Sequence, residues 1–257
     1  MLSIIIINFR MAKKLFRCIK SIIDTQNIND LEIIVVNKPS ADNTKNIIKT
    51  KFSFVELIEC TKFGVAHMRN IGMKNACGEY LLFLDADTII LQNLNPAIEF
   101  LQKYPDGAGL GVKLISPDGE LQYSCRTFYD LKTIIFRRTP LKMVFPNSPI
   151  IRKHLMMDWP HTTRLTVDWI QGAFFLIKKK AFEEVGIFDE FSPFGFEDVA
   201  WCFRAYQRGW KIYYYPDITV VHEYRQSSAS IFSVQAFYHF LAFLRFSFKY
   251  GFFKIKK

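Results

Sequence analysis

The sequence predicts an α/β protein with a Rossmann-like, mainly parallel central sheet flanked by helices and an amphipathic helical tail at the C-terminus. Three observations predict it. Short continuous apolar runs alternate with segments of helical period through the first half of the chain. Several of these runs stop at a polar residue where a strand would meet a ligand. Beyond about residue 226 the composition changes to dense aromatic and basic residues.

The elements follow in order. Leu2–Asn8 reads as a strand buried on both faces, and Lys13–Thr25 as a helix with Leu15, Ile19, Ile22 and Ile23 on one stripe. Leu31–Val36 is a second strand, Asn43–Lys51 a helix with Asp42 at its N-cap, and Val55–Cys60 a third strand. Gly64 opens a helix running to about Ala76, and Glu79–Leu84 is a fourth strand ending at Asp85. Strand–helix–strand repetition implies right-handed crossovers and parallel pairing. Ser116–Pro117–Asp118–Gly119 between apolar runs signals a hairpin. Phe128–Thr166, weakly periodic and punctuated by proline, reads as loops and short helices. Val167–Ile177 is a strand, Lys179–Val185 and Phe196–Arg208 are helices, and Lys211–Tyr215 and Thr219–His222 are strand-like.

Composition narrows the function classes. The 257 residues suffice for one sizeable domain, half are apolar, and the net charge is +10. A basic chain suits an anionic partner such as a nucleotide phosphate, a nucleic acid or an anionic membrane. No stacking motif or zinc spacing supports nucleic acid, so no nucleic-acid partner is expected. Cys18, Cys60, Cys77, Cys125 and Cys202 form no CxxC pair, which fits a reduced, cytoplasmic location. The apolar start lacks the flanks of a signal peptide, and no run is long enough for a membrane span. Ser230–Lys257 interleaves aromatics with Arg245, Lys249, Lys254, Lys256 and Lys257, as in a helix lying on an anionic membrane surface; packing on the domain core is the alternative. The expected division is a catalytic domain over 1–226 and this segment over 227–257.

Four groups can carry chemistry. Asp85-Ala86-Asp87 places two carboxylates just past a buried strand, where they can hold a hard cation and its diphosphate ligand. Glu197-Asp198 opens a helix; the pair either complements the helix dipole or supplies a general base. His222 ends an apolar run and is either structural or a ligand for a manganese-like ion. Arg69 can pair with phosphate or read a base, or be a surface charge.

Taken together, SIIIINF, LEIIVVNKPSADNT, GVAHMRNIGMKNACGEYLLFLDADT, WIQGAFFLIKKKAFEEVGIFDE and FGFEDVAWCFRAYQRGWKIYYYPDITVVH resemble the family-2 glycosyltransferases in order and spacing, over about residues 1–225. The nearest branch is rhamnosyltransferase-like. The resemblance implies a GT-A fold and an inverting, metal-dependent transfer, in surface polysaccharide synthesis, from a UDP- or dTDP-linked sugar to a saccharide or lipid-linked saccharide. It implies that Asp85, Asp87 and His222 hold Mn2+ or Mg2+, that Asp198 is the base with Glu197 beside it, and that Ile7, Phe9, Asn37, Arg69, Asp85, Ala86 and Gly172 contact the donor. Gln171 and Trp201 are then expected on the acceptor side, Trp201 as an aromatic platform. A peripheral position on the inner face of the cell membrane follows for the tail. Two departures stand out: Asn8-Phe9-Arg10 replaces the usual triplet after the first strand, and Asn37-Lys38 replaces Asp-Asn after the second. An uncharged Asn37 accepts a base N–H more weakly than aspartate. The rival readings are a nucleotidyltransferase, which lacks its early glycine-rich loop here, and a non-catalytic nucleotide-sugar or membrane-surface binding module.

Overall fold

The computed structural model describes residues 1–138, 145, 148–223 and 234–251. The first half matches the expected alternation: β1 (Leu2–Asn8), α1 (Ala12–Thr25), β2 (Leu31–Asn37), α2 (Thr44–Lys51), β3 (Glu56–Glu59), α3 (Val65–Asn75) and β4 (Tyr80–Asp85). A two-residue turn leads to β5 (Thr88–Ile90), then α4 (Asn95–Lys103), β6 (Gly107–Ile115), β7 (Leu121–Gln122) and β8 (Cys125–Arg126). The remainder comprises α5 (Leu131–Arg138), α6 (Pro149–His154), β9 (Leu165–Val167), β10 (Trp169–Ile170), β11 (Phe174–Lys178), α7 (Lys179–Val185), α8 (Glu197–Gln207), β12 (Lys211–His222) and α9 (Val234–Tyr250).

The main sheet runs β3-β2-β1-β4-β11-β6-β12-β5, with β7 pairing β6 and β9 pairing β12; β8 and β10 form a separate ribbon. It is parallel from β3 to β4 and mixed beyond, because β11 is antiparallel to both β4 and β6. The strand expected over Val167–Ile177 is three pieces, interrupted at Asp168 and at Gln171–Ala173. The two strands expected over Lys211–His222 are one, with a register shift between Tyr215 and Thr219.

Side-chain alternation divides each central strand between two cores. Ile5, Ile7, Ile34, Val36, Leu81, Phe83, Phe175 and Ile177 face one core, which α3, α7, α8 and α9 cover. Ile4, Ile6, Ile33, Val35, Leu82, Leu84, Phe174 and Leu176 face the other, covered by α1, α2 and α4. The sheet is therefore the middle of three layers, which explains why its central strands read as unbroken apolar runs. Ends of β1, β4 and β12 and the start of α8 are left to form one edge.

The tail is settled on one side. Ala242, Phe243 and Phe246 of α9 are buried in the first core, so the helix packs on the domain. Its opposite stripe leaves Phe237, Phe240 and Phe248 exposed, Phe248 by 89%. Lys254, Lys256 and Lys257, cited above for membrane contact, lie outside the described residues. Among the described residues no helix is long and apolar enough to cross a membrane.

Candidate active site

A cavity of about 870 Å3 opens at the sheet edge. Its wall comes from the end of β1 and the start of α1 (Ile7 to Lys14), from Asp42 and Asn43, from Phe63, Val65 and Met68, and from Asp85, Asp87, Phe194 and His222. Asp85 ends β4 level with Ile7 of β1, and Asp87 follows in the turn. Between them Ala86 buries its methyl in the second core, so only the aspartates turn to the cavity. Thr88 pairs with His222 across β5 and β12, and Glu223 N donates to Asp87 O at 2.9 Å, which ties the end of β12 to the turn.

Asp85, Asp87 and His222 each offer one ligand atom, all within 4.8 Å of one another. Two carboxylate oxygens and an imidazole nitrogen form a donor set that suits a manganese-like cation. Burial and the neighbouring Asp85 raise the Asp87 carboxyl, against the opposing pull of His222 and Lys14. Lys14 Nζ lies 3.2 Å from Asp87 Oδ2 and donates to Glu223 O at 3.0 Å. Its position is locally unfavourable, since Lys13 and Lys14 sit in the first turn of α1 at the positive end of the helix dipole. The acidic partners Asp87 and Glu223 offset that conflict and hold Lys14 on the cavity wall.

The acidic pair at the start of α8 is reached through Arg69. This side chain is 2% exposed; Nη1 meets Glu197 Oε1 at 2.9 Å, and Nη2 meets Asp85 Oδ1 at 2.9 Å and Gly172 O at 2.7 Å. Burial alone would weaken the guanidinium charge, but Asp85 and Glu197 outweigh it. Asp198 accepts from Gly172 N at 3.2 Å and from its own helix amide, Val199 N, at 2.8 Å. Burial raises both carboxyls. Glu197 reaches about 7, pushed also by Asp198 and restrained by Arg69. The helix starts from strained backbone: Phe196 has φ of 71°. The Phe196 ring stacks on Tyr129 at 5.4 Å and touches Phe243 and Phe246 of α9, contacts that hold this conformation.

Residues 3–186 match the family described as glycosyl transferase family 2. The chain belongs to that family. Poly-beta-1,6-N-acetyl-D-glucosamine synthase of Staphylococcus aureus (strain COL) is 28% identical over 190 residues, 72% of this chain and 41% of that protein. Glycosyltransferase GlyA of Streptococcus pneumoniae serotype 4 is 34% identical over 96 residues, 36% of this chain and 14% of that protein. The chain thus spans less than half the length of these relatives. Among solved structures, GalNAc-T7 with UDP, GalNAc and Mn2+ superposes with a TM-score of 0.65 at 20% identity, over 87% of this chain and 44% of that one. Mannosyltransferase PcManGT from Pyrobaculum calidifontis, in complex with GDP-Man and Mn2+, gives 0.59 at 18% identity, over 88% and 57%. These likenesses identify the fold as GT-A.

Within this family-2 chain the expected site residues separate into groups. Ile7, Phe9, Asp85, Asp87 and His222 line the cavity; Glu197 and Asp198 adjoin it through Arg69 and Gly172. Asn37 is buried below Asn8, accepting from Asn8 Nδ2 at 2.7 Å, and is not part of the cavity wall. Arg69 is a correction: it is a buried residue and not a surface charge, its two terminal nitrogens paired with Glu197, Asp85 and Gly172 O and absent from the cavity wall. The Ala86 side chain belongs to the core, which leaves its main chain as the part that could meet a donor. Trp201 is no acceptor platform. It is fully buried, packs on Phe175 and Phe182, and donates from Nε1 to Gly186 O at 2.9 Å, because its position on α8 faces the sheet. Gly172 does permit a close approach, but of Arg69: a Cβ there would lie 2.2 Å from Nη1. Gln171 is half-buried beside it, its N–H held by Ser124 O at 2.9 Å. Sequence reasoning missed Lys14, Phe63 and Phe194 on the cavity wall. It gave Asp42 only a capping role. The structure puts Asn43, not Asp42, at the N-cap of α2; the Asp42 carboxylate accepts from Thr44 and from Ala12 N at 3.1 Å, so it clamps α1 to α2 at the cavity edge.

Proposed function

We propose that this protein is an inverting, metal-dependent glycosyltransferase. It moves a hexosyl group from a UDP- or dTDP-linked sugar to a hydroxyl of a saccharide or lipid-linked saccharide acceptor, in the synthesis of a surface polysaccharide. The observation that carries this reading is the Asp85–Asp87–His222 cluster on the cavity wall, joined through Arg69 to the buried acidic pair of α8. Asp85, Asp87 and His222 would hold Mn2+ or Mg2+. When bound, such a cation supplies neutralisation of the charge that develops on a diphosphate leaving group.

The chain's own residues do the rest. Phe9 and Phe63, with ring centroids 5.1 Å apart, offer an apolar wall for the nucleoside, and Ile7 lies beside them. Asp198 removes the acceptor proton as the oxygen attacks the sugar carbon and the bond to the diphosphate breaks on the opposite face. A carboxylate whose pKa burial has raised is a stronger base than an exposed one, which suits this role. Glu197, neutral in part near pH 7 and paired with Arg69, holds the base and Asp85 in one frame.

The exposed stripe of α9 supports a place for the reaction. Phe237, Phe240 and Phe248 point away from the core, as in helices that rest on bilayers, while Arg245 and Lys249 of the same helix bind Phe191 O and Asp189 of the domain. We assign the protein to the cytoplasmic face of the cell membrane on that basis, where lipid-linked acceptors would be in reach.

The test is donor binding and hydrolysis by purified protein across a panel of nucleotide sugars, with Mn2+ and with chelator. dTDP-rhamnose and UDP-N-acetylglucosamine are the informative pair. Metal-dependent engagement of one donor supports the reading and names the sugar. A panel in which no donor binds under either condition overturns it in favour of a non-catalytic module.

A further inference from the structure

Gln122 meets His222 at two points. Its Nε2 donates to the main-chain oxygen of His222 at 2.8 Å, and its Oε1 lies 2.8 Å from His222 Nδ1. The first contact decides the second. A carbonyl oxygen only accepts, so the amide nitrogen of Gln122 must face it, and Oε1 must then face the ring. An amide oxygen cannot donate, so the hydrogen between them belongs to Nδ1. In a neutral imidazole one nitrogen donates and the other carries the lone pair. In the neutral ring the lone pair is therefore on Nε2, the atom that faces the aspartates, 3.6 Å from Asp87 Oδ1.

We infer that Gln122 is a positioning residue that selects this tautomer and so presents Nε2 of His222 as a ligand. The inference rests on the metal-dependent reading above and deepens it. The topology brings the two residues together. Leu114 of β6 is the cross-strand partner of Gln122 on one side and of Val220 on the other, which sets Gln122 level with the end of β12. β7 is two residues long, and the Ser116–Gly119 turn is what returns the chain to β6, with Ser116 N bonded to Glu120 O at 2.8 Å. His222 is 1% exposed, so bulk water is kept from the ring edge that Gln122 holds. An outer partner that fixes ring orientation and tautomer is worth about 10–100-fold in metal affinity.

The experiment uses the full chain and Mn2+ as the probe. Mn2+ binding is measured by electron paramagnetic resonance for the parent, Gln122→Leu and Gln122→Glu, and imidazole nitrogen spectra are recorded on the metal-free parent. The expected spectrum has His222 protonated at Nδ1. Gln122→Leu is expected to bind Mn2+ roughly 10–100-fold more weakly. Gln122→Glu, which keeps an acceptor for Nδ1 but not the donor to the main chain, stays close to the parent. In a His222→Ala background Gln122→Leu has no further effect. A staple that merely holds the end of β12 would make the two substitutions equally harmful, and that result overturns the inference. So does a Gln122→Leu protein that binds Mn2+ as tightly as the parent, or a parent ring protonated at Nε2 alone. A parent that binds no Mn2+ removes the metal-dependent reading instead, while the ring spectrum still decides what Gln122 does.

Discussion

Arg69 and Asp85 form an ion pair, Nη2 to Oδ1 at 2.9 Å, buried on the arginine side, that connects the end of β4 to the acidic start of α8. The same guanidinium holds Glu197 at 2.9 Å, so one cation spans two carboxylates that the proposed reaction uses differently. Removing it should strand both. Arg69→Met is expected to lower unfolding free energy by about 3–5 kcal/mol in a urea titration, the range for breaking a buried pair from one side. Arg69→Lys should rescue little, because a point charge cannot reproduce the planar fork that meets Glu197, Asp85 and Gly172 together.

Gly172 is bound to the same frame. Its absent side chain is where the Arg69 guanidinium packs, so Gly172→Ala forces that group to shift. A cost of about 1–3 kcal/mol is expected from overpacking. Turnover should fall as well, since Gly172 N also holds Asp198. Retention of both stability and activity would place the arginine elsewhere in solution.

Asp198→Asn should reduce turnover by roughly 10²–10⁴ while leaving donor affinity intact, as expected for loss of a general base. The parent's rate should fall with acid, because the base must be ionised. Burial raises its pKa, so the acid limb of kcat/KM belongs above the ordinary aspartate value of about 3.9. A full-rate Asp198→Asn enzyme would move the base assignment to Glu197.

Glu197 gives stability a pH dependence of definite sign. Its folded-state pKa of about 7 stands above the ordinary glutamate value, so the folded chain holds the extra proton in the interval between them. The stability this contributes is complete at pH below the unfolded value and is lost as pH rises through about 7. Thermal melts from pH 4 to 8 should show that decline, and Glu197→Gln should flatten it.

The two faces of α9 should separate stability from membrane contact. Phe246 is buried against Phe196 and Phe203, and Phe246→Ala is expected to cost about 3–5 kcal/mol. Phe248 is exposed, and Phe248→Ala should stay within about 0.5 kcal/mol of the parent. Sedimentation with vesicles containing anionic lipid should report the reverse order: Phe248→Ala, combined with Phe237→Ala, loses binding. Unchanged sedimentation of that double variant would remove the membrane reading.

By itself the sequence determined what depends on neighbours along the chain. Apolar runs specified the central strands because a sheet covered on both faces needs side chains that are buried whichever way they point. Asp85 and Asp87 were legible because they directly follow such a run, and Glu197 and Asp198 because they open a helix. The tertiary structure decided what depends on residues far apart. Arg69 and Glu197 are 128 positions apart, and no local pattern pairs them. A hint existed: Arg69 lies on the same helical stripe as the buried Ala66 and Gly72, a place where an unpaired charge would be costly. Trp201, expected as a platform, proved to be core because the direction of its helix face is set by packing on the sheet. His222 offers two nitrogens, and the Gln122 contact that bears on which is presented comes from another strand. Burial and pairing are properties of the assembled layers, because a buried charge or polar ring is tolerated only where a specific distant partner meets it.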